Sequence, residues 1–80
     1  MTQALLLLGR PGCHLCEELL AALQADPLIR NYPLTQACVD DRADWRASYG
    51  ARIPVLLNEQ GRILAEGRVT LDELRSVLNP

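Results

Sequence analysis

The chain has 80 residues, 49% of them apolar and 22% charged. Single cores usually take about 50 to 200 residues, so we predict one domain over residues 1–80 and exclude both a multidomain protein and a disordered segment. The formal net charge is −2 and every basic residue is Arg, which leaves no polybasic stretch for binding nucleic acid.

The first predicted element is a buried strand over Gln3–Leu8, followed by a tight loop over Gly9–Gly12. Its longest apolar run, Ala4–Leu8, is far shorter than the roughly 20 residues that a membrane span requires, and no positively charged segment precedes it as in a signal peptide. We therefore expect a soluble, cytoplasmic protein that binds no membrane.

A first helix is predicted over His14–Ala25, because Cys16 and four leucines recur at helical spacing. The leucines are Leu15, Leu19, Leu20 and Leu23. Asp26 followed by Pro27 ends this helix, since the residue before a proline disfavours the helical conformation.

A second strand is predicted over Leu34–Val39. Pro33 and Gln36 suit a position at the edge of a sheet. Cys38 lies on this strand, where a free cysteine more often packs as a small hydrophobe than reacts.

A short second helix follows, for which Asp40 and Asp41 offer N-caps and which Gly50 terminates. Trp45 and Tyr49 are four residues apart, so we expect them to pack together against the sheet. Tyr49 is also a candidate for the lining of a substrate groove.

The remaining residues predict a hairpin of two strands, over Arg52–Asn58 and Arg62–Glu66. Thr70 and Glu73 form a capping box that begins a last helix, which runs through Leu78. The resulting order is β-α-β-α-β-β-α, with parallel strands in its first β-α-β unit. A mixed four-stranded sheet flanked by helices covers both apolar faces of the central strands, so the predicted class is α/β with a thioredoxin-like fold.

The chemistry of the chain is expected at Cys13 and Cys16, since a Cys-x-x-Cys spacing is typical of redox or metal sites. Cys13 lies at a helix start, where free N–H groups and the helix dipole favour a thiolate, so it is the candidate nucleophile. Cys16 lies one turn deeper on the same face and would resolve mixed disulfides. A bridge that closes so short a loop stabilises a fold little, which disfavours a purely structural disulfide.

Two further hypotheses concern His14 and a metal site near this pair. His14, when protonated, would stabilise the adjacent thiolate, but an exposed polar residue in the first turn fits the sequence as well. A zinc site built from Cys13, Cys16, Cys38 and His14 is not expected, because the adjacent Cys13 and His14 cannot easily both face one tetrahedral ion with Cys16.

Two segments, residues 10–18 (RPGCHLCEE) and 49–56 (YGARIPVL), resemble the small bacterial glutaredoxin-like proteins of the thioredoxin superfamily. The resemblance implies that Cys13 is the nucleophile, that Cys16 resolves, and that Pro54 is a cis-proline opposite them. Pro54 fits this role, because a proline is unexpected inside a strand unless its peptide bond is special.

The resemblance also suggests residues that bind substrate. Arg10 matches the cation three residues before the nucleophile, and it would tune the thiolate and bind substrate. Arg52 and Ile53 occupy the places that present backbone groups to glutathione or a peptide, although Arg52 could equally cover the surface with its stem. Backbone N–H groups near Thr70 are candidates for binding a carboxylate.

This chain departs from the glutaredoxin pattern in two places. His14 replaces the usual proline after the first cysteine, which leaves the redox potential open. Only Gly67 remains of the Gly-Gly motif that holds glutathione before the last helix. Glutathione is therefore a candidate co-substrate and not an established one.

The leading hypothesis is a monomeric thiol–disulfide oxidoreductase with no bound cofactor, acting on protein disulfides or glutathionylated proteins. The alternative is a binding module that uses the same groove to hold a protein partner or an iron–sulfur cluster shared between two chains.

Overall fold

The computed structural model describes residues 3–78, and the ends of the predicted domain, residues 1–2 and 79–80, lie outside them. The described residues form β1 (Leu5–Gly9), α1 (His14–Ala25), β2 (Leu34–Cys38), α2 (Ala43–Tyr49), β3 (Val55–Leu57), β4 (Ile63–Glu66) and α3 (Leu71–Leu78). The predicted β-α-β-α-β-β-α order is confirmed. In this part of the chain, no helix is long and apolar enough to cross a bilayer.

The four strands form one mixed sheet in the order β2-β1-β3-β4. β1 runs parallel to β2 and antiparallel to β3, and β3 runs antiparallel to β4. β2 is an edge strand, as predicted. Leu8 at the end of β1 pairs with Val55 at the start of β3, so the loop that leaves β1 and the segment that enters β3 lie at the same end of the sheet.

The sheet buries a different set of side chains on each face, because successive side chains of a strand point to opposite sides. Leu5 and Leu7 of β1 pack in a cluster with side chains of α1 and α3. Leu8 belongs to a second cluster, against which α2 packs. The helices therefore cover both faces, as the predicted architecture requires.

Several predicted boundaries are wrong by a few residues. β1 begins at Leu5 and β3 is confined to Val55–Leu57, since Pro54 has no N–H to donate to a strand ladder. β2 ends at Cys38, because Val39–Asp41 forms a turn of 3-10 helix.

The prediction that Asp40 or Asp41 caps α2 is also wrong. α2 begins at Ala43 after Arg42, whose side chain makes no capping hydrogen bond. Both carboxylates are used earlier in the chain: the Asp41 Oδ2 accepts from the Cys38 N–H at 3.3 Å, and Asp40 pairs with Arg10.

Trp45 and Tyr49 pack against the second cluster, as predicted, but both are only half-buried. Arginines cover them from outside: the Arg42 Cζ lies 4.9 Å from the centroid of the Trp45 ring, and the Arg52 Cζ lies 5.9 Å from that of Tyr49. α2 thus shields the sheet with aromatic side chains without burying any residue of its own.

Candidate functional site

The two predicted redox cysteines lie where the β1–α1 loop enters the helix. Gly12 has a φ of +77°, which lets the chain turn back so that the Cys13 N–H donates to the Arg10 carbonyl at 3.2 Å. Cys13 is the N-cap of α1, and its Sγ accepts from the backbone N–H of Cys16 at 3.2 Å. The two residues are joined in a disulfide with a Cα–Cα distance of 5.2 Å.

The two sulfurs differ in accessibility. Cys13 is half-buried, whereas Cys16 is 8% exposed and packs toward the sheet. Gly9 makes this packing close, because a Cβ at that position would lie 3.0 Å from the Cys16 Sγ. An external disulfide would therefore reach Cys13 more readily than Cys16.

Pro54 lies at the same end of the sheet as this pair. The Ile53–Pro54 peptide bond is cis, and the buried Pro54 offers its carbonyl to the Gly67 N–H at 2.8 Å. Leu8 pairs with Val55 in antiparallel strands. The next residues, Gly9 on β1 and Pro54 before β3, therefore lie at the same end of the sheet, where the cysteine loop begins. Among the described residues, the backbone of Ile53 makes no backbone hydrogen bond, which leaves it available to an extended segment.

Arg10 lies in the cysteine loop, and its guanidinium is held by an acid. Its Nε and Nη2 donate to the two carboxylate oxygens of Asp40 at 2.8 and 3.0 Å, and its Nη1 donates to the Gly50 carbonyl at 2.9 Å. The hydrogen bond with Asp40 raises the pKa of Arg10 and lowers the pKa of Asp40 below its usual 3.8. Arg10 therefore reaches the site as one half of an ion pair.

Arg52 is held in a similar way, by an acid and a backbone carbonyl. Its Nε donates to the Glu66 Oε2 at 2.6 Å, and its Nη1 donates to the Ser48 carbonyl at 3.2 Å. The hydrogen bond to Glu66 raises the pKa of Arg52. The Arg52 guanidinium lies over the Tyr49 ring, and an anion would have to share this guanidinium with Glu66.

Thr70 and His14 are not drawn into the same cluster. The Thr70 hydroxyl accepts from the Glu73 N–H at 3.2 Å and donates to the Glu73 carboxylate, which confirms the predicted cap of α3. The residue near Thr70 that contacts Pro54 is Gly67, three residues earlier, whose N–H donates to the Pro54 carbonyl. His14 is exposed at the first position of α1, directly after Cys13.

Three contributors to the site were not predicted from the sequence. Gly9 belongs to no sequence motif. A glycine is required there only because α1 packs on β1 and brings Cys16 close to it. Asp40 was predicted to cap α2. An acidic residue directly after an edge strand could also have indicated an ion pair with the arginine of the cysteine loop. Cys38 is half-buried and, with Cys16, lines a cavity of about 370 Å³, which no local pattern indicates.

The described residues contain no group of three or more His, Cys, Asp or Glu side chains placed to hold a metal ion. What the arrangement offers instead is an accessible sulfur at a helix N-terminus, a buried partner sulfur and an open backbone segment beside them. These are the parts that thiol–disulfide exchange uses.

Comparisons with known proteins agree with this description. The family model described as "Glutaredoxin-like domain (DUF836)" matches residues 4–79. The solution NMR structure of protein Ne2328 from Nitrosomonas europaea superimposes with a TM-score of 0.81 at 28% identity, covering 99% of this chain and 94% of that one. The X-ray structure of the structural-genomics target XcR50 from X. campestris gives a TM-score of 0.78 at 35% identity, covering 95% and 96%.

No curated protein matches the sequence. The family match spans nearly all of the described chain, and the two solved structures share its fold over almost their full length. The predicted resemblance is confirmed: the chain belongs to the family of glutaredoxin-like domains and has a thioredoxin-like α/β fold.

Proposed function

We propose that the protein is a thiol–disulfide oxidoreductase in which Cys13 is the nucleophile and Cys16 the resolving thiol. The observation that carries the proposal is the Cys13–Cys16 disulfide at the N-terminus of α1, with the more accessible sulfur at the N-cap. Membership of the glutaredoxin-like family supports redox chemistry at this pair.

The reaction starts from the reduced pair. The Cys13 thiolate attacks one sulfur of a substrate disulfide, whose S–S bond breaks and whose other sulfur leaves as a thiolate. Cys16 then loses its proton and attacks the Cys13 sulfur of the mixed disulfide, and the second substrate thiolate leaves. The substrate gains two electrons, and the Cys13–Cys16 disulfide must be reduced by an external thiol before the next cycle.

The helix start supports both halves of this cycle. Its free N–H groups and dipole stabilise a thiolate at Cys13, and the Cys16 N–H already points at the Cys13 Sγ at 3.2 Å. A stabilised thiolate is the better leaving group when Cys16 attacks. The burial of Cys16 restricts its attack to a disulfide that Cys13 has already formed.

Substrate is proposed to bind along the Ile53–Pro54 segment. The unpaired backbone of Ile53 suits an extended peptide, which it would bind by strand-like hydrogen bonds. Arg10 and Arg52, the two arginines expected to bind substrate, are paired with Asp40 and Glu66, so the carboxylates of glutathione would compete with these acids. We therefore propose protein disulfides and glutathionylated proteins as substrates, with glutathione as a candidate reductant.

The remaining expectations belong to the same proposal. The protein would act as a monomer, without a bound cofactor, in the cytoplasm, where thiol systems keep dithiols reduced. His14 would modulate Cys13 through its charge, since it adjoins the nucleophile and faces solvent. Thr70 would contribute only N–H groups of α3, because its hydroxyl already caps that helix.

The proposal is tested by replacing each cysteine of the pair in a Cys38→Ala background. We expect Cys13→Ser to abolish reduction of both insulin disulfides and a glutathionylated peptide. Cys16→Ser should lose insulin reduction but keep activity on the glutathionylated peptide, because that reaction needs only the nucleophile. Full activity in Cys13→Ser would contradict the mechanism.

A second measurement separates the oxidoreductase from a binding module. The Cys38→Ala protein, which keeps both Cys13 and Cys16, is equilibrated in graded mixtures of reduced and oxidised glutathione. Its free thiols are then alkylated and counted by mass spectrometry. A reversible two-electron transition supports the proposal. Thiols that stay reduced in every mixture would favour a protein that binds a partner or a shared cluster.

A further inference from the structure

Cys38 lies on the strand next to the redox pair and faces the same helix. It pairs in register with Gly9 across the parallel β1–β2 ladder, as Leu34 does with Leu5. Leu34 and Leu5 both pack in the cluster that α1 covers. Because alternate residues of a strand share a face, the Cys38 side chain points to the α1 side of the sheet, where Cys16 lies.

Gly9 contributes no side chain to the space between the two cysteines. Gly9 is the residue between them, and the position of its missing Cβ lies 3.0 Å from the Cys16 Sγ and 3.1 Å from the Cys16 Cβ. Neighbouring strands are about 4.8 Å apart, so Cys38 is only one strand spacing from this point. The exchange requires the edge strand to bring the Cys38 sulfur to bonding distance of the Cys16 sulfur.

Both cysteines line one cavity of about 370 Å³, which Cys13 does not line. The cavity therefore opens on the Cys16 end of the disulfide. Arg10, whose guanidinium is paired with Asp40, also lines it.

We propose that Cys38 is a third redox thiol, which exchanges with the Cys13–Cys16 disulfide to form a Cys16–Cys38 disulfide. The Cys38 thiol gives its proton to solvent, and its sulfur attacks the Cys16 Sγ. The Cys13–Cys16 bond breaks, and Cys13 leaves as a thiolate. One disulfide is replaced by another, so the step needs no oxidant or reductant.

This exchange would give the oxidised protein a second state. The disulfide then lies between the buried Cys16 and the half-buried Cys38, while Cys13 at the helix start is a free thiolate. A substrate captured by Cys13 in this state would not be released by Cys16, because Cys16 is already bonded. The inference rests on the proposed function, since it requires an exchange-active Cys13–Cys16 disulfide.

Trypsin allows the two disulfides to be distinguished. The bond after Arg10 precedes a proline and resists cleavage, so Cys13 and Cys16 lie together on peptide 1–30 and Cys38 lies on peptide 31–42. The full chain is oxidised with diamide, free thiols are alkylated, and the monomer is isolated on a non-reducing gel. The linked peptide pair is then quantified by mass spectrometry in wild type, Cys13→Ser and Cys16→Ser.

We expect Cys13→Ser to yield at least tenfold more linked peptide than Cys16→Ser, since only Cys16 shares the cavity with Cys38. In wild type, the linked peptides should carry the alkyl label on Cys13, and this readout does not depend on either variant folding. Equal yields in the two variants, or wild-type linked peptides without label on Cys13, overturn the proposal, as does the absence of linked peptide from wild type. In each case a wild-type disulfide within peptide 1–30 leaves the proposed function standing.

Discussion

At the scale of single residues, the close packing of the cysteine pair depends on the absence of a side chain at Gly9. Gly9 ends β1, and Cys16 occupies the space where a Cβ would be. The sheet and α1 can therefore approach closely enough for the deeper sulfur to be shielded. The requirement comes from contact with the helix, since Gly9 does not have a positive φ.

We predict that Gly9→Ala weakens the Cys13–Cys16 disulfide. The new Cβ would meet the Cys16 sulfur at 3.0 Å, and a reduced Cys16 can rotate away whereas a bridged one cannot. Overpacking of this kind costs about 1 to 3 kcal/mol, so the midpoint potential should rise by roughly 30 mV, a tenfold change in equilibrium constant. Redox titration of wild type and Gly9→Ala against glutathione measures the shift. A midpoint shifted the other way would contradict the prediction.

A second residue-level prediction concerns Arg52. If carboxylates of a glutathionylated substrate bind there, Glu66 competes with them through its 2.6 Å contact. Glu66→Gln should therefore lower the KM for a glutathionylated peptide by about two- to fivefold, the range expected for an exposed ion pair. Asp44→Asn removes a similarly exposed carboxylate that pairs with Arg42 and should leave the KM unchanged. A KM that Glu66→Gln leaves unchanged would show that Arg52 does not bind these carboxylates.

At the scale of elements, the accuracy of the sequence predictions followed how local the cause was. The boundaries of α1 and the cap of α3 depend on residues within a turn of one another, and both were predicted. The start of α2 was mispredicted, because Asp40 is used by Arg10, 30 positions away along the chain. A rule based on the spacing of neighbouring residues cannot predict a partner so far away along the chain.

The cap of α3 gives a prediction at this scale. Thr70→Ala removes the acceptor of the Glu73 N–H, and the loss of an N-cap costs about 1 kcal/mol. For a domain of this size, that lowers the Tm by roughly 4 to 8 °C. Thermal unfolding followed by circular dichroism measures the shift, and Thr70→Ser, which keeps the hydroxyl, should restore most of it. Equal losses in the two variants would argue against the cap.

At the scale of the whole molecule, the cysteine pair and Pro54 could be predicted as a site because each carries a local pattern. What assembles them is the pairing of Leu8 with Val55, and what places Cys38 beside them is the pairing with Gly9. Strand order and register depend on the whole chain, so the approach of Cys38 to Cys16 could not be derived before the sheet was known.

The end of α1 and the last helix are joined by a buried acid. Asp26 is 4% exposed, and its Oδ2 accepts from the Arg75 Nε and Nη2 at 2.9 and 2.7 Å. Its Oδ1 accepts from the N–H groups of Leu28 and Ile29. The hydrogen bond from Arg75, followed by that from Leu28, lowers the pKa of Asp26 below 3.8.

This lowered pKa makes stability depend on pH. Because Asp26 has a lower pKa folded than unfolded, its contribution is fully present above the unfolded value and is lost as the pH falls through the folded one. We predict that the free energy of unfolding, from urea titrations between about pH 6 and 2.5, falls more steeply in wild type than in Asp26→Asn, which keeps the Oδ1 acceptor. Arg75→Gln should flatten the dependence as well, since Asp26 then loses its main partner, whereas Arg68→Gln, which replaces an exposed arginine outside this pair, should not. If the difference between wild type and Asp26→Asn stayed constant over this range, the ion pair between α1 and α3 would not be the source of the acid sensitivity.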